Sequence, residues 1–400
     1  MLRYKLMTKQ EKVRDLLTRN VQEVVGREHL RAILLNSRKL RVKHGIDPTG
    51  EKIHIGRAVV LWKLKEFQDL GHKIILIIGD FTAQIGDPSD KLAKRPFLTS
   101  NQVKKNLKSY LDQISRVLDL KKVEVRHNSE WLSKLDFREI SELAENFTIQ
   151  QMLERRNFSD RMRRQEEISV RELLYPLMQG YDSVAVKADV ELGGTDQLFN
   201  LLAGRKIQER YGQRPQDILV TKMLLGLDGR KMSTSWGNVI NITDSPDEQY
   251  GKVMSMRDEA IPEYLELTTG LAIEEVRSLI GAMSAGGNPK EAKERVAYET
   301  VKRYHGEKAA FLAASNFSRV FSKKDLSVDL PSLLVPKKIE LTDLVLKSGV
   351  AKSKAQAWRL ITQGGFSLDG KVLRYPKESI SLKGGEVVKI GKKSFFRVTI

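Results

Sequence analysis

The order of apolar and polar positions divides the chain into elements of two periods. LRVKHGI (40–46) predicts a strand, and the polar loop DPTGEKI follows it. Residues 54–71, HIGRAVVLWKLKEFQDLG, place apolar residues at helical spacing and end on Gly71, which predicts a helix with a glycine stop. HKIILIIGD (72–80) is a continuous apolar run, the pattern of a strand buried on both faces of a parallel sheet. Strand, helix and strand in this succession form a βαβ unit with a right-handed crossover. The alternation continues with the helix-like NQVKKNLKSYLDQISRVL, the strand-like KKVEVRHNS, a helical stretch near 137–165, the period-two SVAVKADVELGG and the apolar DILVTKMLLGL. This predicts a Rossmann-like, doubly wound parallel-sheet α/β domain over residues 1–240.

Beyond SPDEQYGKV the texture turns helical, with a Gly/Pro break at GGNP (286–289), and predicts a helical domain over 241–325. Residues 326–338 hold two prolines and no helical period, so they read as a linker. From 339 to 400 two short amphipathic helices, broken at Gly349 and at Gly364–Gly365, precede a strand-like tail. That predicts a small α+β unit.

Composition narrows the functional classes. Forty per cent hydrophobic and 30 per cent charged is ordinary for a globular chain. The longest aliphatic run, IILIIG, falls far short of the roughly 20 apolar residues that span a bilayer. The first fifteen residues, MLRYKLMTKQEKVRD, lack the apolar core of a secretory signal, which makes the cytoplasm the expected compartment. With no cysteine, disulfides, thiolate nucleophiles and Cys-ligated zinc are excluded. The net charge of +18 points to a polyanionic partner, most simply a nucleic acid. Residues 339–400 carry twelve Lys/Arg against five Asp/Glu, so the end of the chain is a strongly basic unit.

In doubly wound sheets ligands bind where strands turn into helices at their carboxyl ends. The first such turn, DPTGEKIHIGRA, brings His54 and Gly56 to a helix start, where free N–H groups and a partial positive charge attract phosphate. The second, GDFTAQIGDPSDKLAKRP, holds Asp87 followed by the cations Lys91, Lys94 and Arg95. In ELLYPLMQGYDSVAV, Tyr175, Gln179 and Asp182 stand at i, i+4 and i+7 and share one helical face. A hydroxyl, an amide and a carboxylate among Leu and Met suit a small polar ligand. ELGGTDQLFN sets Gly193, Asp196 and Gln197 at a strand end, and KMSTS (231–235) puts Lys231, Met232 and Ser233 in a loop. Each motif alone is a weak signal.

Taken in order, the motifs resemble a known family. HIGR is similar to the HIGH signature of class I aminoacyl-tRNA synthetases, and KMSTS to their KMSKS loop. GIDPT, GDPSDK, YPLMQGYD and GGTDQ resemble the bacterial tyrosyl-tRNA synthetases, and the basic tail resembles their S4-like RNA-binding domain. The resemblance covers essentially the whole chain. It implies activation of L-tyrosine by ATP with Mg²⁺ to tyrosyl-AMP and pyrophosphate, transfer to the 3′ end of tRNA(Tyr), a homodimer, no structural metal and no membrane.

Carried over by position, Asp182 would accept the phenol O–H of tyrosine. Tyr175, Gln179 and Asp87 would hold its ammonium group, and Gln197 its carboxylate end. Asp196 and Gly193 would meet the ribose. Gly45, Asp47 and Thr49 would line the nucleotide turn, with Thr49 and His54 towards the γ-phosphate, and Gly56 would let adenine approach. Lys91, Arg95 and Lys231 would gather pyrophosphate, beside Arg57, Met232 and Ser233 of the ATP site. The loop of Lys231 would be flexible because it must close on a triphosphate and release it. Lys43 stands where many members carry a tyrosine that shares the phenol hydrogen bond, and marks one bacterial branch. Three positions depart from the pattern: Arg57 replaces the second histidine of HIGH, Thr234 the second lysine of KMSKS, and Asp90 a small residue. These departures keep open a weakened paralogue that binds RNA. A tryptophan-specific relative is disfavoured by the Tyr175/Gln179/Asp182 face and by the basic tail.

Overall fold

The computed structural model describes residues 7–36, 38–88, 100–321, 330, 332–391 and 394–400. Contacts group them into two compact units, Met1–Ala310 and Phe311–Ile400. The boundary read at 240 therefore falls inside one compact unit.

The first unit is built on a six-stranded sheet, in the order β1 (Val21–Val25), β6 (Asp217–Thr221), β5 (Val190–Gly194), β2 (Arg41–Ile46), β3 (Lys73–Ile78) and β4 (Val123–His127). All pairs are parallel except β1 with β6. Five consecutive residues of β3 are buried, as a strand covered on both faces by helices should be. The helix Ile55–Asp69 forms the first crossover. It is capped by His54 and buries Ile55, Ala58, Val59, Leu61, Leu64 and Phe67. A capping box between Ser169 and Glu172 starts the sixteen-residue helix Val170–Ala185. That helix packs closely on Leu198–Arg210: a Cβ at Gly180 would lie 3.2 Å from the Ala203 backbone.

Two expectations are corrected here. SVAVKADVELGG is not one strand. The capped helix continues through Ala185, Lys187 turns the chain at φ 49°, and only Val190–Gly194 enters the sheet. The helical stretch at 137–165 is three short helices, Phe137–Ala144, Ile149–Leu153 and Arg156–Arg163, each with its own start.

In the second unit β7 (Ser332–Leu334), β8 (Lys338–Glu340), β9 (Phe366–Leu368), β10 (Lys371–Val372), β11 (Ser379–Ser381), β12 (Val387–Ile390) and β13 (Ser394–Thr399) form two sheets, in the orders β10-β9-β12-β13-β7 and β11-β8. The helices Leu341–Lys347 and Lys354–Thr362 share their core through Leu341, Leu344, Val345, Ala357 and Ile361. The stretch read as linker thus supplies a strand: β7 pairs in parallel with β13 and buries Leu333 between exposed neighbours. Three residues are too few to show a period in sequence.

Candidate active site

The carboxyl ends of β2, β3, β4 and β5 and one face of the Val170–Ala185 helix converge on a polar cleft. Asp182 lies at its buried end, 3 % exposed. Its Oδ1 accepts from Trp131 Nε1 at 2.8 Å and its Oδ2 from Asn128 Nδ2 at 3.4 Å. Burial pushes its carboxyl up to about 7, although Lys43 and these two donors pull the other way.

Lys43 sits deeper than the sequence implies. It is fully buried, and its ammonium group donates to Gln179 O at 2.9 Å and Ser183 Oγ at 2.7 Å and pairs with Glu191 Oε1 at 2.9 Å. An ammonium group has three hydrogens, so all are directed at protein acceptors. With its hydrogens committed to these three groups, Lys43 supports the Gln179 and Glu191 side of the cleft from beneath. Glu191 completes the layer. It accepts from Ser183 Oγ at 3.1 Å, from Gln179 Nε2 at 3.3 Å and from Gln216 Nε2.

Asp47, expected on the nucleotide side, instead faces the Val170–Ala185 helix. Its carboxylate accepts from Tyr175 OH and Thr82 Oγ1, both at 2.8 Å. Gly79 makes this possible, since a Cβ there would lie 1.8 Å from Asp47 Oδ1. Burial, with the nearby charge of Asp87 adding to it, raises the Asp47 carboxyl to about 7 against the hydrogen bonds it accepts. The Tyr175 hydroxyl donates its hydrogen bond to Asp47 and keeps its oxygen lone pairs as acceptors. Gln197 Nε2 donates to Asp87 Oδ2 at 2.7 Å, so the residues expected at the two ends of an amino acid are directly bonded.

On the other side, His54 Nδ1 accepts from Arg57 N at 3.3 Å, which leaves Nε2 as the N–H of the neutral ring. Arg57 Nη1 donates to the Tyr110 hydroxyl at 2.9 Å. The two signatures touch: Ile55 N donates to Ile240 O at 2.8 Å, just after KMSTS. A Cβ on Gly56 would stand 3.1 Å from His54 Nδ1 and 3.3 Å from Met232 Sδ, so the space at this glycine is bounded by the loop itself. Lys231 Nζ pairs with Asp196 Oδ2 at 2.9 Å. Asn238 anchors the loop by donating to Lys231 O at 3.1 Å and accepting from Ser233 N at 2.8 Å. Beside Gly45 a Cβ would meet nothing within 4 Å, whereas at Gly193 it would crowd Gln197 and Leu201 at 3.1 Å. Thr49 N donates to Asp47 O at 2.8 Å, which tightens the turn. Lys91, Lys94, Arg95 and Asp90 lie outside the described residues.

The strand carboxyl ends therefore gather a buried carboxylate, a row of acceptors and an N–H-bearing histidine beside a lysine loop. A family model for the tRNA synthetases class I (W and Y) matches residues 35–322. The Tyrosine--tRNA ligase of Thermotoga maritima is 44% identical over 395 residues, covering 98% of each chain. The Tyrosine--tRNA ligase of Aquifex aeolicus is 42% identical over 394 residues, covering 98% of this chain and 99% of that one. The chain belongs to the tyrosine–tRNA ligases of class I.

Solved structures of the family agree. The tyrosyl-tRNA synthetase of Archaeoglobus fulgidus, complexed with L-tyrosine, superposes with a TM-score of 0.63 at 25% identity, over 77% of this chain and all of that one. A C-terminally truncated mitochondrial tyrosyl-tRNA synthetase of Aspergillus nidulans shares the fold, with a TM-score of 0.64 at 22% identity over 80% of this chain and 96% of that one. Full-length similarity to these ligases gives no support to the RNA-binding paralogue. Membership makes the chain an aminoacyl-tRNA ligase with ATP as a substrate. Among the described residues, no helix is long and apolar enough to cross a membrane.

Sequence reasoning missed several side chains of the cleft: Trp131 and Asn128 beyond β4, Thr82 beyond β3, Ser183 and Glu191 beneath Gln179, and Arg155 and Asn200 behind Gln197. The rule of strand carboxyl ends points to Thr82, Asn128 and Trp131. Nothing local points to the others.

Proposed function

We propose that the cleft binds L-tyrosine with its phenol at Asp182 and its α-carboxylate facing ATP, forms tyrosyl-AMP and pyrophosphate, and then passes tyrosine to the 3′ end of tRNA(Tyr). The observation that carries this reading is Asp182, a buried carboxylate held by two donors at the closed end of a cleft otherwise lined by ammonium acceptors. Tyr175, Gln179 and Asp87 surround the ammonium group, with Asp47 beside Tyr175, and Gln197 meets the carboxylate. Gly193 and Asp196 face the ribose, and Gly45 and Thr49 line the nucleotide turn. His54, Arg57 and Lys231 lie along the phosphates with Met232 and Ser233, and ATP enters with Mg²⁺. Lys91 and Arg95 are assigned to pyrophosphate by their place in the sequence.

The chemistry needs no protein nucleophile. The substrate carboxylate is already ionised and attacks the α-phosphorus in line as pyrophosphate leaves. Positioning and stabilisation of negative charge are what the protein supplies. Lys43 supports the amino-acid side through Gln179 and Glu191. The basic second unit serves tRNA, and the reaction takes place in the cytoplasm with that substrate. Large apolar side chains exposed between β4 and β5, among them Phe137 at 85% and Val170 at 73%, suit a homodimer interface.

Tyrosine-dependent ATP–pyrophosphate exchange tests the reading. Asp182→Ala should lose discrimination of tyrosine from phenylalanine. Sites that bond a substrate hydroxyl reject the analogue lacking it by about 10⁴–10⁵, a magnitude established on this enzyme class itself. Unchanged selectivity would remove Asp182 from the phenol.

A further inference from the structure

The amides of the cleft have a fixed polarity, and its source is a residue with no role so far. Arg155 is 8% exposed, with its guanidinium over the rings of Phe199 and Phe158, 4.7 and 5.3 Å from their centroids. Burial lowers its affinity for the proton, and Asp87 and Tyr175 counter this electrostatically. It forms no ion pair within 4.0 Å among the described residues. A charge buried in this way is expensive and calls for a reason.

Arg155 Nη2 donates to Asn200 Oδ1 at 3.0 Å. Asn200, fully buried, donates from Nδ2 to Gln197 Oε1 at 3.0 Å. Gln197 then donates from Nε2 to Asp87 Oδ2 at 2.7 Å. The direction of this chain is not arbitrary. A guanidinium has donors only and keeps its charge, so Asn200 must meet it with oxygen. That leaves Asn200 its NH₂ group for Gln197, which must answer with oxygen and turn nitrogen towards Asp87 and the cleft. A side-chain amide can otherwise flip and exchange its two ends. One arginine sets both.

We propose that Arg155 is a positioning residue for the amino-acid substrate: through Asn200 it holds Gln197 with its N–H donors towards the cleft, so that the amide binds the α-carboxylate instead of repelling it. Flipped, Gln197 would set its oxygen against Asp87 and the carboxylate at once. The inference rests on the placement of Gln197 at the carboxylate end, and the experiment separates the two.

L-tyrosine and tyramine share a phenol and an amine, but tyramine has no carboxylate. Their affinities are measured calorimetrically on the full chain, with folding of each variant checked by thermal unfolding. Arg155→Met should weaken L-tyrosine binding about tenfold or more, the loss of one charge-assisted hydrogen bond. Tyramine should lose clearly less, since it has no carboxylate and feels the change only through Asp87 at its amine. Arg155→Lys can still donate to Asn200 and should restore most of the difference. Asn200→Asp still accepts from Arg155 but cannot donate to Gln197, so it should lose L-tyrosine as Arg155→Met does. This keeps the test open even where Arg155→Met fails to fold. Parallel loss of both ligands, or of neither, would show that Arg155 serves the fold alone. If Gln197→Leu leaves the tyrosine-to-tyramine ratio unchanged, the placement of Gln197 is wrong. If Gln197→Leu lowers that ratio and neither Arg155→Met nor Asn200→Asp does, only the relay is wrong.

Discussion

Trp131 Nε1 donates to Asp182 Oδ1 at 2.8 Å, from a one-turn helix beyond β4 to the second half of the Val170–Ala185 helix. The contact does two things. It orients the carboxylate at the closed end of the cleft, and it favours the ionised form that burial opposes. Trp131 is itself fixed from behind by Arg126, whose guanidinium lies 5.4 Å from the ring centroid.

With the phenol placed at Asp182 as proposed, the two raised carboxyls should make tyrosine binding dependent on pH. Asp182 and Asp47 both reach about 7. A ligand that needs Asp182 ionised binds better as pH rises through that value, so the dissociation constant for L-tyrosine should fall about tenfold from pH 6 to pH 8. Trp131→Phe removes a donor to the carboxylate and should move the midpoint upward. The stability of the unliganded protein runs the opposite way. Each carboxyl lies above its unfolded value, so the native state holds extra protons between about pH 4 and pH 7, and stability is lost as pH rises through that window. Urea unfolding at pH 5 and pH 8 should show the difference, and Asp182→Asn should reduce it. A flat profile for both properties would contradict the environment described for Asp182.

Lys43 and Glu191 are buried together, at 0% and 1% side-chain exposure. Removing one partner leaves the other as an unpaired buried charge, so Lys43→Met should destabilise the chain by about 3–5 kcal/mol. Lys43→Met combined with Glu191→Gln should recover most of that loss, because it removes both charges. Chemical denaturation of the two single variants and the double measures the coupling. Additive losses would mean that the pair does not act as a unit.

Lys231 is held by Asp196 in this structure, and the proposed reaction requires it to leave that partner for a triphosphate. Lys231→Ala should slow adenylate formation by about 10²–10³, the effect of losing one preorganised charge-stabilising group, with little change in tyrosine affinity. Thr234→Lys should alter the rate less than about tenfold if Arg57, proposed to lie along the same phosphates, already supplies the charge. Pre-steady-state adenylate formation at saturating ATP and Mg²⁺ decides. Acceleration by about 10² or more in Thr234→Lys would mean that the natural loop is short of charge.

What could be read in advance depended on range. The βαβ opening, the histidine helix start and the shared face of Tyr175, Gln179 and Asp182 follow from spacing within a few residues, and the structure places each as expected. Asp182 meets Trp131 across 51 positions, and Arg155 meets Asn200 across 45, with no local pattern to announce either contact. Lys43 is placed only by its position in the family pattern, and its pairing with Glu191 across 148 positions has no local signal either. Strand β1 escaped notice because its burial pattern does not alternate, and β7 because it is three residues long.

The buried pair of Lys43 and Glu191 also gives the cleft a temperature dependence of its own. Charged groups are hydrated less favourably as water warms, so the penalty for keeping these two away from solvent shrinks on heating, while the attraction between them persists. An apolar replacement of the pair would gain most near room temperature and progressively less above it. The layer beneath Gln179 is thus a burden in the cold and a smaller one in the heat, and the support it gives the amino-acid side should outlast warming better than its net contribution to stability at 25 °C suggests.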